Sequence, residues 1–189
     1  VLDTHAGRGR YLLAATESRK TGEADAGIVK LMGEAKMPDV VERYLRAVEA
    51  NNPVGALIAY PGSPLLTAQA LREQDRLAAC ELQPEEAAAL KELFAHDARV
   101  AVHARDGYGA IKAMLPPKLG NAKFARGLVL IDPPYEVQDN EYPQIISSVR
   151  EAMERWPQAT YAIWYPIKLR RSLQPFFRKA AALPGKSVM

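Results

Sequence analysis

With 189 residues, 48% of them hydrophobic and 25% charged, the chain has the composition of a globular protein with a proper core and fits one domain. No apolar run approaches the roughly 20 residues of a membrane span, and the single cysteine, Cys80, excludes an internal disulfide and fits a reducing compartment, so a cytoplasmic location is expected. The net charge of +3 allows a nucleic-acid partner without demanding one.

Val1 to Thr4 reads as a strand end that runs into the glycine-containing stretch HAGRGRY, with a helix start over residues 11–15. From about Thr16 to Tyr60 the texture is helical. Ile28, Leu31 and Met32 share one spacing, Pro38 suits a first helical position, and Val41, Tyr44, Leu45 and Val48 form an apolar stripe behind it. The segment 16–60 is therefore expected to be a helical insertion after the first strand, with 1–15 and 61–189 as the core. YPGSP makes a proline-bounded turn ahead of a helix over about 65–74.

Beyond this point the alternation is regular. RLAACEL, ARVAVHA, LVLID and ATYAIWYP read as strands. PEEAAALKELFA, GYGAIKAML, NEYPQIISSVREAMERW and KLRRSLQPFFRK read as helices, the last strained in its middle by Pro175. PPKLGNAKFARG reads as a surface loop. Strands alternating with helices imply βαβ units, hence an α/β fold with a parallel sheet flanked by helices. The last helix gathers Lys168, Arg170, Arg171, Arg178 and Lys179, which serve either as a solvated face or as a phosphate-binding patch.

Ligands of such sheets bind outside the carboxyl ends of the strands. Four of those ends carry an acid: Asp3, Glu81, Asp106 and Asp132. A core needs none of them, since an unpaired buried carboxylate costs several kcal/mol. Gly7 and Gly9 supply only G-x-G, with Leu12 where a dinucleotide fingerprint has its third glycine, so they mark either a ligand loop or a plain turn. Glu81 ends a strand and suits ribose hydroxyls; Glu23 and Asp25 lie nearer the usual spacing from the glycines but end no strand. Asp106-Gly107 either accepts from an adenine amine or caps a helix. His5, His96 and His103 show no metal-ligand spacing, and no metal is expected.

Asp132, Pro133, Pro134 and Tyr135 form the most specific stretch. Two residues without N–H donors carry the chain stiffly out of the strand. An acid and a proline carbonyl there can accept both hydrogens of an exocyclic amine and localise its lone pair. Tyr135, presented by the turn, would stack on a flipped base and return roughly 1–3 kcal/mol of the stacking lost.

LDTHAGRGRY, YPGSPLL, REQDRLAACELQP, DGYGAIKAMLPP, RGLVLIDPPYE and YAIWYP together resemble the bacterial RlmJ-type 23S rRNA adenine-N6 methyltransferase family over most of the chain. The resemblance implies a Rossmann-like enzyme dependent on S-adenosylmethionine, with a helical insertion after the first strand, acting on 23S ribosomal RNA; a cytoplasmic monomer is expected. It implies that Asp3, His5, Gly7 and Gly9 line the cofactor loop, Ser63 touches the cofactor, Glu81 its ribose, and Asp106 with Gly107 its adenine. Asp132, Pro133, Pro134 and Tyr135 would hold the target adenine. Members of the family look longer at both ends, and GNAKFA looks like extra loop. A DNA adenine methyltransferase, a DNA-utilisation protein and a non-catalytic binder are the alternatives.

Overall fold

The computed structural model describes residues 1–13, 24–135, 138–167 and 173–185. Its strands and helices follow in this order: β1 (Leu2–Asp3), β2 (Arg10–Leu12), a π-helical turn (Asp25–Val29) running into Lys30–Met32, α1 (Asp39–Glu49), β3 (Ala59–Pro61), α2 (Ser63–Ala70), β4 (Leu77–Glu81), α3 (Pro84–Leu93) and β5 (Val100–Ala104). There follow α4 (Gly107–Met114), β6 (Lys118–Leu119), β7 (Ala122–Lys123), β8 (Leu128–Ile131), α5 (Gln138–Arg155), β9 (Thr160–Ile163) and α6 (Gln174–Ala181).

Five strands form one parallel sheet in the order β5-β4-β1-β8-β9. Leu2 lies between Ala78 and Val129, and Asp3 between Ala79 and Leu130. The chain first builds outward from β1 to β5, then returns to the other side of β1 with β8. Strand order therefore reverses between β1 and β8, the position where open α/β sheets take their ligands.

Strand alternation sorts the side chains of β4 onto two faces. Leu77 and Ala79 pack with Ala68, Leu90 and Phe94 from α2 and α3. Cys80 joins Leu2, Val129 and Ile131 against Ile111 of α4, Ile145 and Val149 of α5, and Phe176 of α6. Helices thus cover both faces, which is why the strands read as continuous apolar runs rather than as alternation. Ile145, Val129 and Leu90 are fully buried, each stabilising by roughly 1.5–3 kcal/mol. Ile28, Leu45 and Val48 form a separate small core with Leu57 and Tyr60, and the Tyr44 and Tyr60 hydroxyls are 2.6 Å apart.

Several expectations are corrected. Residues 10–12 are not a helix start: Arg10–Leu12 pair antiparallel with Ala59–Pro61, so the entry to and exit from the helical segment lie side by side. The helix expected over 65–74 begins two residues earlier and ends at Ala70. Pro38 stands just before α1, one place ahead of the expected first helical position. The surface loop before β8 contains the β6–β7 hairpin, turned by Gly120 at φ 59°. Pro175 lies in the first turn of α6, where its missing N–H breaks no helical bond, so it does not strain the helix. Glu23, Lys168, Arg170 and Arg171 lie outside the described residues; Arg178 and Lys179 are exposed on α6.

Candidate active site

The four acids stand together at the carboxyl ends of the sheet. Asp3 ends β1 and Glu81 ends β4; Asp106 follows β5 and Asp132 follows β8. Asp3 feels the charges of both Asp132 and Glu81, and His5 feels those of Glu141, Asp106 and Glu81.

Asp3 is fully buried. Ser63 Oγ donates to its Oδ2 at 2.6 Å, and the His5 N–H reaches Oδ1 at 3.4 Å. Burial pushes this carboxyl up to about 6; Ser63 and His5 oppose the shift, and the Asp132 and Glu81 charges add to it. The folded value lies above the unfolded one, near 3.9. The stabilisation from the protonated form is therefore fully present below about pH 4 and is lost as pH rises through about 6. Urea unfolding of the protein and of Asp3→Asn at pH 4 and pH 7 is expected to show the unsubstituted chain losing roughly 2 kcal/mol relative to the variant. Parallel profiles would show that Asp3 titrates as an ordinary carboxylate.

The loop after β1 is shaped by its glycines. Gly7 has φ 61°, and a Cβ there would lie 2.0 Å from the Tyr11 hydroxyl oxygen, so a side chain is excluded on two counts. The Gly7 N–H donates to Glu81 Oε2 at 2.8 Å, and the Gln83 N–H donates to Oε1 at 2.7 Å. Glu81 thereby ties the β1 loop to the β4 loop and keeps a lone pair on each oxygen for a further donor. Gly107 opens α4 so close to the end of β1 that a Cβ would meet the Thr4 carbonyl oxygen at 2.0 Å, and the missing side chain permits this approach.

His5 has a defined tautomer. Thr4 Oγ1 has one hydrogen and donates it to the Leu130 carbonyl at 3.0 Å. His5 Nδ1, 2.8 Å from the same oxygen, must therefore be the donor. Burial lowers the imidazole pKa, so the ring is neutral and Nε2 is an acceptor. The ring packs edge-on to Tyr108 at 5.2 Å, and the Tyr108 hydroxyl donates to Glu141 Oε2 at 2.8 Å. Asp106 caps α4: its Oδ2 accepts from the Gly109 N–H at 2.5 Å. The helix cap, one of the two readings of this residue, is thus made.

Asp132 is half-buried, accepts no hydrogen bond from any described residue, and has its pKa raised by burial. Pro133 is buried and Pro134 exposed, with the turn closed by the Tyr135 N–H donating to the Pro133 carbonyl at 2.9 Å. Tyr135 is corrected. Its ring is not presented by the turn but is 8% exposed, packed between Tyr142 and Trp164 at 5.6 and 5.8 Å. Its hydroxyl donates to the Trp164 carbonyl. An aromatic box and a carbonyl at the end of β9 outweigh what an exposed ring gains in water. The ring that does face solvent at this strand end is Trp164, 54% exposed. Trp164, Tyr108 and Glu141 were missed as candidates; the signal for Trp164 was an aromatic at the end of a fifth strand.

The site is rich in acceptors: four carboxylates and a bare imidazole nitrogen. That chemistry suits a ligand with ammonium and hydroxyl donors and repels a pyrophosphate. A cavity of about 960 Å³ lies elsewhere, at the amino ends of the strands, lined by Leu2, Leu77, Leu128, Phe124 and Trp156. Its walls are mainly apolar and hold none of the four acids, so it is not the candidate site.

The strand order and the acids outside the switch point define a Rossmann-like α/β domain with its ligand region at the carboxyl ends of the sheet. The family model described as "Ribosomal RNA large subunit methyltransferase D, RlmJ" matches residues 1–188, and the chain belongs to that family. It is 42% identical over 189 residues to "Ribosomal RNA large subunit methyltransferase J" of Haemophilus influenzae, an alignment covering 100% of this chain and 65% of that protein. It is 40% identical over 173 residues to the protein of the same name from Escherichia coli, covering 92% and 60% respectively. The chain thus spans less than two thirds of the length of these relatives. A crystal structure of a Legionella pneumophila protein matches with a TM-score of 0.81 at 33% identity, covering 96% of this chain and 65% of that one. No described helix is long and apolar enough to cross a membrane.

Proposed function

We propose that the protein transfers a methyl group to the exocyclic N6 of an adenine in 23S ribosomal RNA, with S-adenosylmethionine as donor. The observation that carries this reading is Asp132: a half-buried carboxylate with no described hydrogen-bond donor, held by a diproline corner beside β1. The relatives' names support the substrate class.

The donor set fits the cofactor. Glu81 has lone pairs for ribose hydroxyls, His5 Nε2 accepts a hydrogen bond, and Asp3 with Ser63 supplies a buried polar floor. Gly7 and Gly9 supply the positive-φ backbone that turns the β1 loop over the site, and Asp106 with Gly107 frames the adenine. S-adenosylmethionine supplies an electrophilic methyl group when bound. Asp132 and a proline carbonyl of the corner accept the two amine hydrogens and aim the nitrogen lone pair. No strong base is required, because the nitrogen becomes acidic only once it is alkylated. Tyr135 braces the corner from below, and Trp164 offers the exposed ring for stacking on the flipped base. Residues 16–60 form an inserted module, and the protein works as a cytoplasmic monomer.

One observation favours a second reading, a binder without transfer: the inward ring of Tyr135 removes a stacking surface the chemistry would use. The two separate cleanly. Labelled S-adenosylmethionine is incubated with deproteinised 23S rRNA or with DNA. Label in the rRNA is expected; label in DNA alone overturns the substrate, and cofactor binding by calorimetry without any transfer makes the protein a binder.

A further inference from the structure

A second cluster lies at the amino end of β8, across the sheet from Asp132. Lys118 and Lys123 are directly opposite in the β6–β7 hairpin. Opposite residues of an antiparallel pair project to the same side, and like charges there destabilise the pair. Both lysines are exposed, and neither has an acidic partner among the described residues. Two adjoining cavities, about 420 and 510 Å³, share Pro116 and Lys123. Lys118 lines the first, Arg126 and Arg155 line the second, and no acid lines either. Arg155 is held by Glu151 at 2.7 Å, which leaves Lys118, Lys123 and Arg126 uncompensated.

An anion seated between the two lysines would relieve their repulsion. The continuation of positive charge to Arg126 fits a repeated anion better than a single one. We propose that the Lys118–Lys123 hairpin, with Arg126, is a remote docking face for the phosphate backbone of the substrate RNA. It holds a folded RNA at one end of the sheet while the target base enters at the other. Contacts of this kind position the nucleic acid without reading its sequence. Taking RNA as the partner rests on the methyltransferase reading above.

The test uses the triple variant Lys118→Ala/Lys123→Ala/Arg126→Ala and a fluorescently labelled 23S rRNA transcript, with Kd read by anisotropy between about 50 and 200 mM salt. Three lost phosphate contacts are expected to flatten the slope of log Kd against log salt by about two and to weaken binding about tenfold near 150 mM. Cofactor affinity and Tm stay unchanged, and Lys118→Arg/Lys123→Arg binds as the parent does. An unchanged slope and Kd overturn the docking face, as does an equal loss in a control triple variant, Lys30→Ala/Lys36→Ala/Arg43→Ala, in the inserted segment. If the parent protein methylates rRNA and the triple variant does so with the same KM, the docking face falls and the methyltransferase reading stands. If the parent binds rRNA through the hairpin yet transfers no methyl group, the reverse holds.

Discussion

Asp132→Ala is expected to lower methyl transfer to rRNA by about a thousandfold, the scale of losing one preorganised polar group at a reacting atom. Cofactor affinity should hardly move, because the partner proposed for this carboxylate is the amine rather than the donor. The structure supports that division: Asp132 lies at the end of β8, whereas the residues assigned to the cofactor lie on the β1, β4 and β5 side of the site. Asp132→Asn keeps one acceptor oxygen and is expected to lose less. A spectroscopic readout accompanies the kinetic one. The Asp132 charge helps to raise the Asp3 pKa, so removing it should bring Asp3 down from about 6. Single-turnover kinetics with labelled cofactor measure the first effect, and carboxyl NMR titration the second. An alanine variant with full turnover would remove Asp132 from the chemistry.

Glu81→Ala is expected to raise the cofactor Kd about a hundredfold, the worth of two hydrogen bonds to a charged acceptor. Part of that loss comes from the loop itself. Without the carboxylate, the Gly7 and Gln83 N–H groups lose their acceptor, and the β1 and β4 loops are no longer tied. Glu81→Gln sharpens the result, since its amide nitrogen would face one of those N–H groups and repel it. Isothermal calorimetry measures the affinity, and turnover at saturating cofactor should stay close to normal. Unchanged affinity would return the ribose role to Glu23 or Asp25; Asp25 is exposed on the π-helical turn of the inserted segment.

The parallel sheet was legible because its strands are short apolar runs set between amphipathic helices, and buried β4 and β8 carry that pattern plainly. The strand-end acids were legible for the same reason: Asp3, Glu81 and Asp132 each close an apolar run where a core has no use for charge, and Asp106 follows such a run after Arg105. β2 was not, because all three of its residues are exposed and no alternation marks them. Only the antiparallel partner Ala59–Pro61, about fifty positions away, makes Arg10–Leu12 a strand. The β6–β7 hairpin has two-residue strands, too short for any period to show. The direction of the Tyr135 ring was equally hidden. It depends on Tyr142 from α5 and Trp164 from the end of β9, which the fold brings to Tyr135 only after the sheet has formed.

Cys80 sits at 0% exposure in the middle of the sheet, and burial pushes its thiol up to about 12. It is also the chain's one sulfhydryl. An alkylating reagent therefore meets no thiolate until β4 separates from its neighbours. The rate at which the protein takes up such a reagent is then a clock for opening of the central sheet, obtained without engineering, and ligand protection can be timed against it.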